Sequence, residues 1–231
     1  MGKLAERLNG KVPVSTLNVD LTKIEDRKIL VEKIHKEVPD LIINCAGIGL
    51  YGDALTHETK KQMEIFETNS EAVFETTLEG SRALISNKSK GVILNISSLS
   101  GFLIYPSFSI YAASKAFVTQ FSRSLDYEVK AHNLRVLVAC PGRINSSFLK
   151  RASGSDEDLN SWFAMSPKYA AKKLLKQIEE RKQMSLFDWK AKPFSIFMRF
   201  FIPKRLAAFI TSSSIKKFYK PRPIILKRHD S

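Results

Sequence analysis

The sequence predicts an α/β fold built on a doubly wound parallel sheet. Short apolar stretches, Leu41–Cys45, Gly91–Ser97 and Leu134–Cys140, alternate with longer helical stretches. That alternation builds βαβ units, whose strands are covered on both faces and read as continuous apolar runs. Polar residues, namely Asp20, Asn44, Ser97, Ser98 and Asn145, gather where strands end, and open parallel sheets hold their ligands there. The chain has 231 residues, 44% of them hydrophobic and 26% charged. That composition suits one buried core and excludes a disordered, collagenous or polytopic membrane chain.

Val12–Asp20 is β-branched, ends in a polar Asn-Val-Asp and is expected to be a strand. Thr22, with Glu25 three residues on, predicts a capping box for a helix to about Glu37, ended by Pro39 and Asp40. Leu41–Cys45 follows as a buried strand, then Ala46–Gly52 as a glycine-containing loop. A long helix is expected from about Glu58 to Ser86, then the buried strand Gly91–Ser97. A loop with Gly101 and Pro106 leads to a helix from about Ser109 to Lys130. Leu134–Cys140 is the next strand, closed by Pro141-Gly142. Arg151–Leu159 reads as a polar loop, and Pro167 opens a helix to about Lys182.

The chemistry centres on Ser98 and Tyr111-Ala-Ala-Ser-Lys115. Tyrosine and lysine four residues apart share one helix face. A free phenol titrates near pH 10, too high for easy proton exchange at neutral pH. An ammonium one turn away favours the phenolate and is expected to lower that value. Such a tyrosine can protonate a carbonyl oxygen or deprotonate an alcohol. Ser98, at a strand end, can hydrogen-bond the same oxygen. No His or Cys spacing suggests a metal site, and Cys45 and Cys140 read as buried free thiols of a reducing compartment.

These residues belong to a longer pattern. Asn44-Cys45-Ala46-Gly47, Asn69, Asn95-Ile-Ser-Ser98, Tyr111 with Lys115, and Pro141-Gly142-Arg-Ile-Asn-Ser146 stand in order, with Val19-Asp20 before them. The sequence resembles the short-chain dehydrogenase/reductase family over roughly residues 2–185. The resemblance implies a Rossmann-like sheet and an NAD(P)-dependent oxidoreductase, with NADP preferred. Tyr111 would be the general acid/base, Lys115 its activator and a ligand of the nicotinamide ribose, and Ser98 the group orienting the substrate carbonyl. Asn69 would hold a helix bend and a relay water. Asn44, Ala46 and Gly47 would line the adenosine side with Asp20 near the adenine. Ile144 and Ser146, after Pro141 and Gly142, would meet the nicotinamide carboxamide. The resemblance also implies dimers or tetramers through the helices around Glu58–Ser86 and Ser109–Lys130.

Two departures stand out. The family's Thr-Gly-x-x-x-Gly-x-Gly turn, with the strands around it, has no counterpart, so the domain reads as N-terminally truncated. A remnant that keeps the active-site residues but cannot hold the cofactor pyrophosphate is therefore the second reading. The ending also differs: residues 185–231 lack the family's short closing strand. The net charge is +14, and residues 168–231 carry 17 basic and four acidic side chains. Phe194–Ile202, Leu206–Ile210 and Lys216–Lys220 interleave apolar and basic residues. The organisation expected is thus a domain at 1–185 and a basic amphipathic tail at 186–231. Such a tail suits a membrane interface and, through it, a lipid-like substrate. Its clustered aromatics do not suit nucleic acid. The polar start Met1–Gly10 has no secretory signal character and no run spans a bilayer, so the expected place is the cytoplasm, at a membrane surface.

Overall fold

A computed structural model describes residues 12–154, 164–187, 204–216, 219 and 222–225. Four parallel strands lie in the order β1 (Leu41–Asn44), β2 (Gly91–Ile96), β3 (Leu134–Cys140), β4 (Met184–Leu186). The register sets Asn44 beside Asn95, Ile96 beside Ala139 and Val138 beside Met184. The helices are α1 (Ile24–Glu37), α2 (Thr59–Phe66), α3 (Ala72–Ser86), α4 (Ser109–Val129), α5 (Ser147–Ser153), α6 (Pro167–Glu179) and α7 (Lys204–Lys216).

Strand side chains alternate between two covered faces. Leu134 and Val136 of β3 pack with Leu84, Leu125 and Val129 of α3 and α4. Leu137 and Ala139 point the other way, against Leu174 and Ile178 of α6 and against Phe187. Each Leu or Val so buried contributes about 1.5–3 kcal/mol. Gly80 lets α3 lie on the sheet, because a Cβ there would come 2.4 Å from Ile42 Cδ1. One buried ion pair fixes the far end: Arg135 Nε and Nη2 donate to Asp126 at 2.8 and 2.9 Å, and Val136 N donates to it at 2.9 Å. Burial by itself raises the Asp126 pKa, but these bonds hold it below the usual carboxylate range.

Several expectations are corrected. Residues 12–20 form no strand; Val12 and Val14 are exposed, and no described strand lies beside them to complete a ladder. Thr22 does not cap α1. Its N–H and hydroxyl donate to Asp20 Oδ1, at 3.1 and 2.8 Å, in a turn before the cap position Lys23. The single helix expected from Glu58 to Ser86 is α2 and α3 joined by a π turn, Glu67–Glu71. A closing strand does exist: β4 begins at Met184 and pairs with β3, so the ending is nearer the family's than the sequence suggests. β1 is not buried as expected. Leu41 and Ile43 are exposed, because α6 covers β2 and β3 on that face and reaches no further. Arg181, with a left-handed φ of 47°, ends the helical path before Lys182. Trp162, Trp189 and Phe194–Ile202 lie outside the described residues.

Candidate active site

The site forms where β1, β2 and β3 end. Ser98 is extended and starts a 3-10 turn, Leu99–Phe102, its Oγ accepting from Ser100 N at 3.2 Å. That turn lies directly on α4. A Cβ on Gly101 would come 2.8 Å from Ala116 N and from Lys115 C, so only glycine permits the approach. The contact brings Ser98 to the face of α4 that carries Tyr111 and Lys115, both buried.

The electrostatics differ from expectation in one respect. Tyr111 is pushed up to about 12, chiefly by burial, which the Ser98 hydrogen bond only partly offsets. Lys115 is pushed down to about 8, again chiefly by burial. Its Nζ donates to Ile96 O at 2.9 Å and lies 5.8 Å from the centroid of the Tyr111 ring. In this arrangement the ammonium spends its charge on a carbonyl, and desolvation keeps the phenol protonated.

Asn69 sits in the π turn, wholly buried. Its Oδ1 accepts from Ile48 N at 2.9 Å, and its Nδ2 donates to Ile48 O at 2.9 Å and to Ser114 Oγ at 3.2 Å. It therefore bolts the loop after β1 to α4. Gly47 lies beside it. A Cβ there would come 3.4 Å from Asn69 Oδ1 and 3.5 Å from Lys115 Nζ.

The other expected residues fall into two groups. Pro141 O accepts from Leu99 N at 3.1 Å, tying the β3 end to the Ser98 turn. Gly142 is half-buried next to it. Ile144 bridges to Met165, and Ser146 caps α5 by accepting from Phe148 N at 3.4 Å. Asn44 faces inward. Its Nδ2 donates to Asn95 Oδ1 at 2.8 Å and to Thr77 Oγ1 at 3.1 Å, while its Oδ1 accepts from Thr76. Its side chain is thus spent holding β1 to β2 and α3. Ala46 is exposed, and so is Cys45, which corrects the expectation of a buried thiol there; Cys140 is buried as expected. Asp20 stands apart at the start of α1, its pKa lowered chiefly by the Thr22 hydroxyl.

Comparisons with known proteins bear on the family and the fold. The short chain dehydrogenase family profile matches residues 1–158. The chain belongs to that family. An uncharacterized oxidoreductase of Staphylococcus saprophyticus is 26% identical over 200 residues, covering 84% of this chain and 82% of its own. A 3-oxoacyl-[acyl-carrier-protein] reductase of Chlamydia muridarum is 29% identical over 162 residues, covering 69% of this chain. Only 63% of that relative's length is spanned. Among solved structures, a short-chain dehydrogenase from Sphingobium yanoikuyae in complex with NADPH superposes with a TM-score of 0.77 at 24% identity, over 84% of this chain and 77% of that one. That likeness bears on the fold, which is Rossmann-like.

Within this short-chain dehydrogenase fold, sequence reasoning missed the aromatic surroundings of Tyr111. Phe108 stacks on it at 4.2 Å between centroids, Phe148 lies at 5.4 Å, and Tyr51 lies 4.4 Å from Phe108. These rings come from three stretches remote in sequence: the loop after β1, the cap position of α4, and α5. The one sequence sign was Gly49, where a Cβ would come 2.8 Å from the Phe148 ring. Also missed was the buried polar set of Thr76, Thr77, Asn95 and Ser122 behind Asn44.

Proposed function

We propose that the chain is an NAD(P)-dependent oxidoreductase that interconverts a carbonyl and an alcohol, with Tyr111 as the acid/base. The observation that carries this reading is a buried Tyr111 hydrogen-bonded to Ser98, one helical turn from a buried Lys115. A phenol held at about 12 keeps its proton at neutral pH, so in this state Tyr111 Oη is a donor. It can pass its proton to a carbonyl oxygen that Ser98 Oγ also holds. Lys115 supplies positive charge near the phenolate that remains, and Asn69 keeps the β1 loop against α4. The nicotinamide cofactor, when bound, supplies or accepts the hydride.

The residues present suit the nicotinamide end of such a cofactor. Gly47, which the resemblance put on the adenosine side, lies close to Lys115 Nζ and Asn69 Oδ1, 3.5 and 3.4 Å from where its Cβ would stand, with Ile144 and Ser146 on the loop after β3. Ala46 and Asp20 are assigned to the adenosine side by family resemblance, and so is NADP as the preferred form.

Two finer assignments belong to the same reading. On α7, Leu206, Phe209 and Ile210 share one face and are exposed. With the basic C-terminal region they suit an anionic lipid surface and a lipid-like substrate. On α2, α3 and α4, Phe66, Phe74, Phe117 and Phe121 form a ladder of ring contacts at 5.2 to 6.4 Å. Phe74 and Phe117 are exposed, which suits pairing with a second copy.

The test is Tyr111→Phe in an NADPH-coupled carbonyl assay. Removing a positioned acid/base costs about 10²–10⁴-fold in kcat. Turnover that survives the substitution within a few-fold refutes the assignment.

A further inference from the structure

The C-terminal segment is fastened to the loops that follow β1 and β2, at the carboxyl end of the sheet. Thr211 Oγ1 of α7 donates to Ile104 O at 2.8 Å, and Ile225 N donates to Leu55 O at 2.9 Å. Tyr219 adds a third tie: its hydroxyl donates to Ser107 Oγ at 2.9 Å and lies 3.3 Å from Asp53 Oδ1. The two loops are also joined to each other, Gly52 N donating to Ser107 O at 2.9 Å and Ser107 Oγ to Asp53 Oδ1 at 2.6 Å. The first two ties leave apolar side chains in the open. On α7, Thr211 is buried, while Leu206, Phe209 and Ile210 are exposed, and so is Ile104 across the tie. At the second tie, Leu55 is 68% exposed on the turn Ala54–Thr56, and Ile224 and Ile225 are exposed on the segment bonded to it. The charge around these side chains is mainly positive. Arg205 and Arg222 are exposed, as are Lys60 and Lys61 after Leu55. Opposing them on that loop are Glu58 and Asp53, the latter engaged by Ser107 and Tyr219.

We propose that the carboxyl end of the sheet docks on an anionic lipid bilayer, with α7 and the Leu55 turn as two points of insertion. Large apolar side chains exposed singly are ordinary. Here they gather at both places where a strongly basic segment, with 17 basic and four acidic residues over 168–231, is held to the fold. The 13 residues of α7 rise about 20 Å, less than the hydrocarbon thickness of a bilayer. Its exposed apolar residues share one face, so α7 suits the interface and not a crossing. There the acyl region takes Phe209 and Leu55, and the anionic headgroups meet the arginines and lysines. A bilayer offers acyl chains and negative charge at every point of its surface. Two separate apolar points set among cations therefore need no matching shape in the partner. The proposal rests on the assignment of α7 to a lipid surface made above and deepens it. The loops that carry Leu55 and Ile104 face the lipid together with α7, and Ser98, which follows β2, stands at that same end.

The test is co-sedimentation of the full chain with phosphatidylcholine vesicles, with and without phosphatidylserine. Wild type is expected to bind the phosphatidylserine vesicles about tenfold more tightly than pure phosphatidylcholine. Phe209→Asp and Leu55→Asp are each expected to weaken that binding about tenfold. Tyr127→Asp makes a like charge change at a 74% exposed residue near the other end of α4, and is expected to stay within about twofold of wild type. All three replace exposed side chains, so the fold is expected to hold, with circular dichroism as the check. The proposal is overturned if wild type binds neither vesicle, or binds both equally, or if all three variants lose binding alike. Loss in Phe209→Asp with Leu55→Asp unchanged overturns it and leaves the α7 assignment standing. Loss in Leu55→Asp alone overturns both. Self-association in sedimentation velocity without lipid, lost in both variants while vesicle binding is unaffected, assigns the surface to a second copy and overturns it too. Tyr111→Phe is expected to bind vesicles like wild type, so the enzyme assignment stands or falls separately on turnover.

Discussion

Lys115 is a buried cation whose Nζ donates to a backbone carbonyl, Ile96 O. Burial favours its neutral form and brings its pKa from the ordinary 10.5 down to about 8. Between those values the unfolded chain binds the proton and the folded chain does not, so this residue makes stability rise with pH across that window. Tyr111 works in the opposite sense from 10.0 up to about 12, where only the folded chain keeps its proton. Cys140, raised by burial from 9.0 to about 11, also opposes the rise. Comparison of wild type with Lys115→Met removes those shared contributions. The urea midpoint of wild type is expected to gain on that of Lys115→Met from pH about 8 to about 10. A difference that stays flat with pH shows that Lys115 is solvated as an ordinary lysine.

At the scale of elements, the meeting of Ser98 with the Tyr111 face of α4 depends on how closely the Ser98 turn approaches that helix. Glycine at position 101 is required by backbone proximity, not by an unusual φ, because the atoms a Cβ would strike belong to the α4 main chain. Gly101→Ala is expected to cost about 1–3 kcal/mol of stability through overpacking. It should also lower kcat more than it raises KM, since Ser98 moves away from Tyr111. Thermal unfolding and steady-state kinetics check the two parts, and a variant that melts like wild type shows that the turn can yield. The π turn works alongside. One extra residue in the helical path turns Asn69 inward to hold both backbone groups of Ile48.

For the molecule as a whole, the sheet is covered unevenly. α6 shields β2 and β3 on one face, while Leu41 and Ile43 of β1 are 39% and 44% exposed there. Among the described residues β1 has β2 as its one neighbour. A short apolar strand open on a face and an edge favours association with another chain. Ile43→Lys is expected to reduce concentration-dependent self-association in sedimentation velocity, without changing the helical content read by circular dichroism. Unchanged association would assign the contact elsewhere, to the aromatic ladder on α3 and α4.

Much of this was legible in the chain itself. Continuous apolar runs and the helical stretches between them determined β1, β2, β3, α4 and α6; burial on both faces leaves β2 and β3 no polar alternation, while β1 kept its apolar run with one face open. The spacing of Ser98, Tyr111 and Lys115 determined which side chains meet, since a helix turn places residues four apart on one face. Tertiary structure decided the rest. Residues 12–20 have strand composition and form none, because a strand exists only with a partner to receive its hydrogen bonds. Asn44, with the look of a ligand-binding residue, turned inward once Asn95 and Thr77 offered bonds. The direction of the Tyr111 and Lys115 shifts depended on burial, which no local spacing reports. The aromatic cluster around Tyr111 is assembled from stretches remote in sequence, with Tyr219 meeting Ser107 across 112 positions of the chain. Contacts of that separation are set by the packing of the whole sheet.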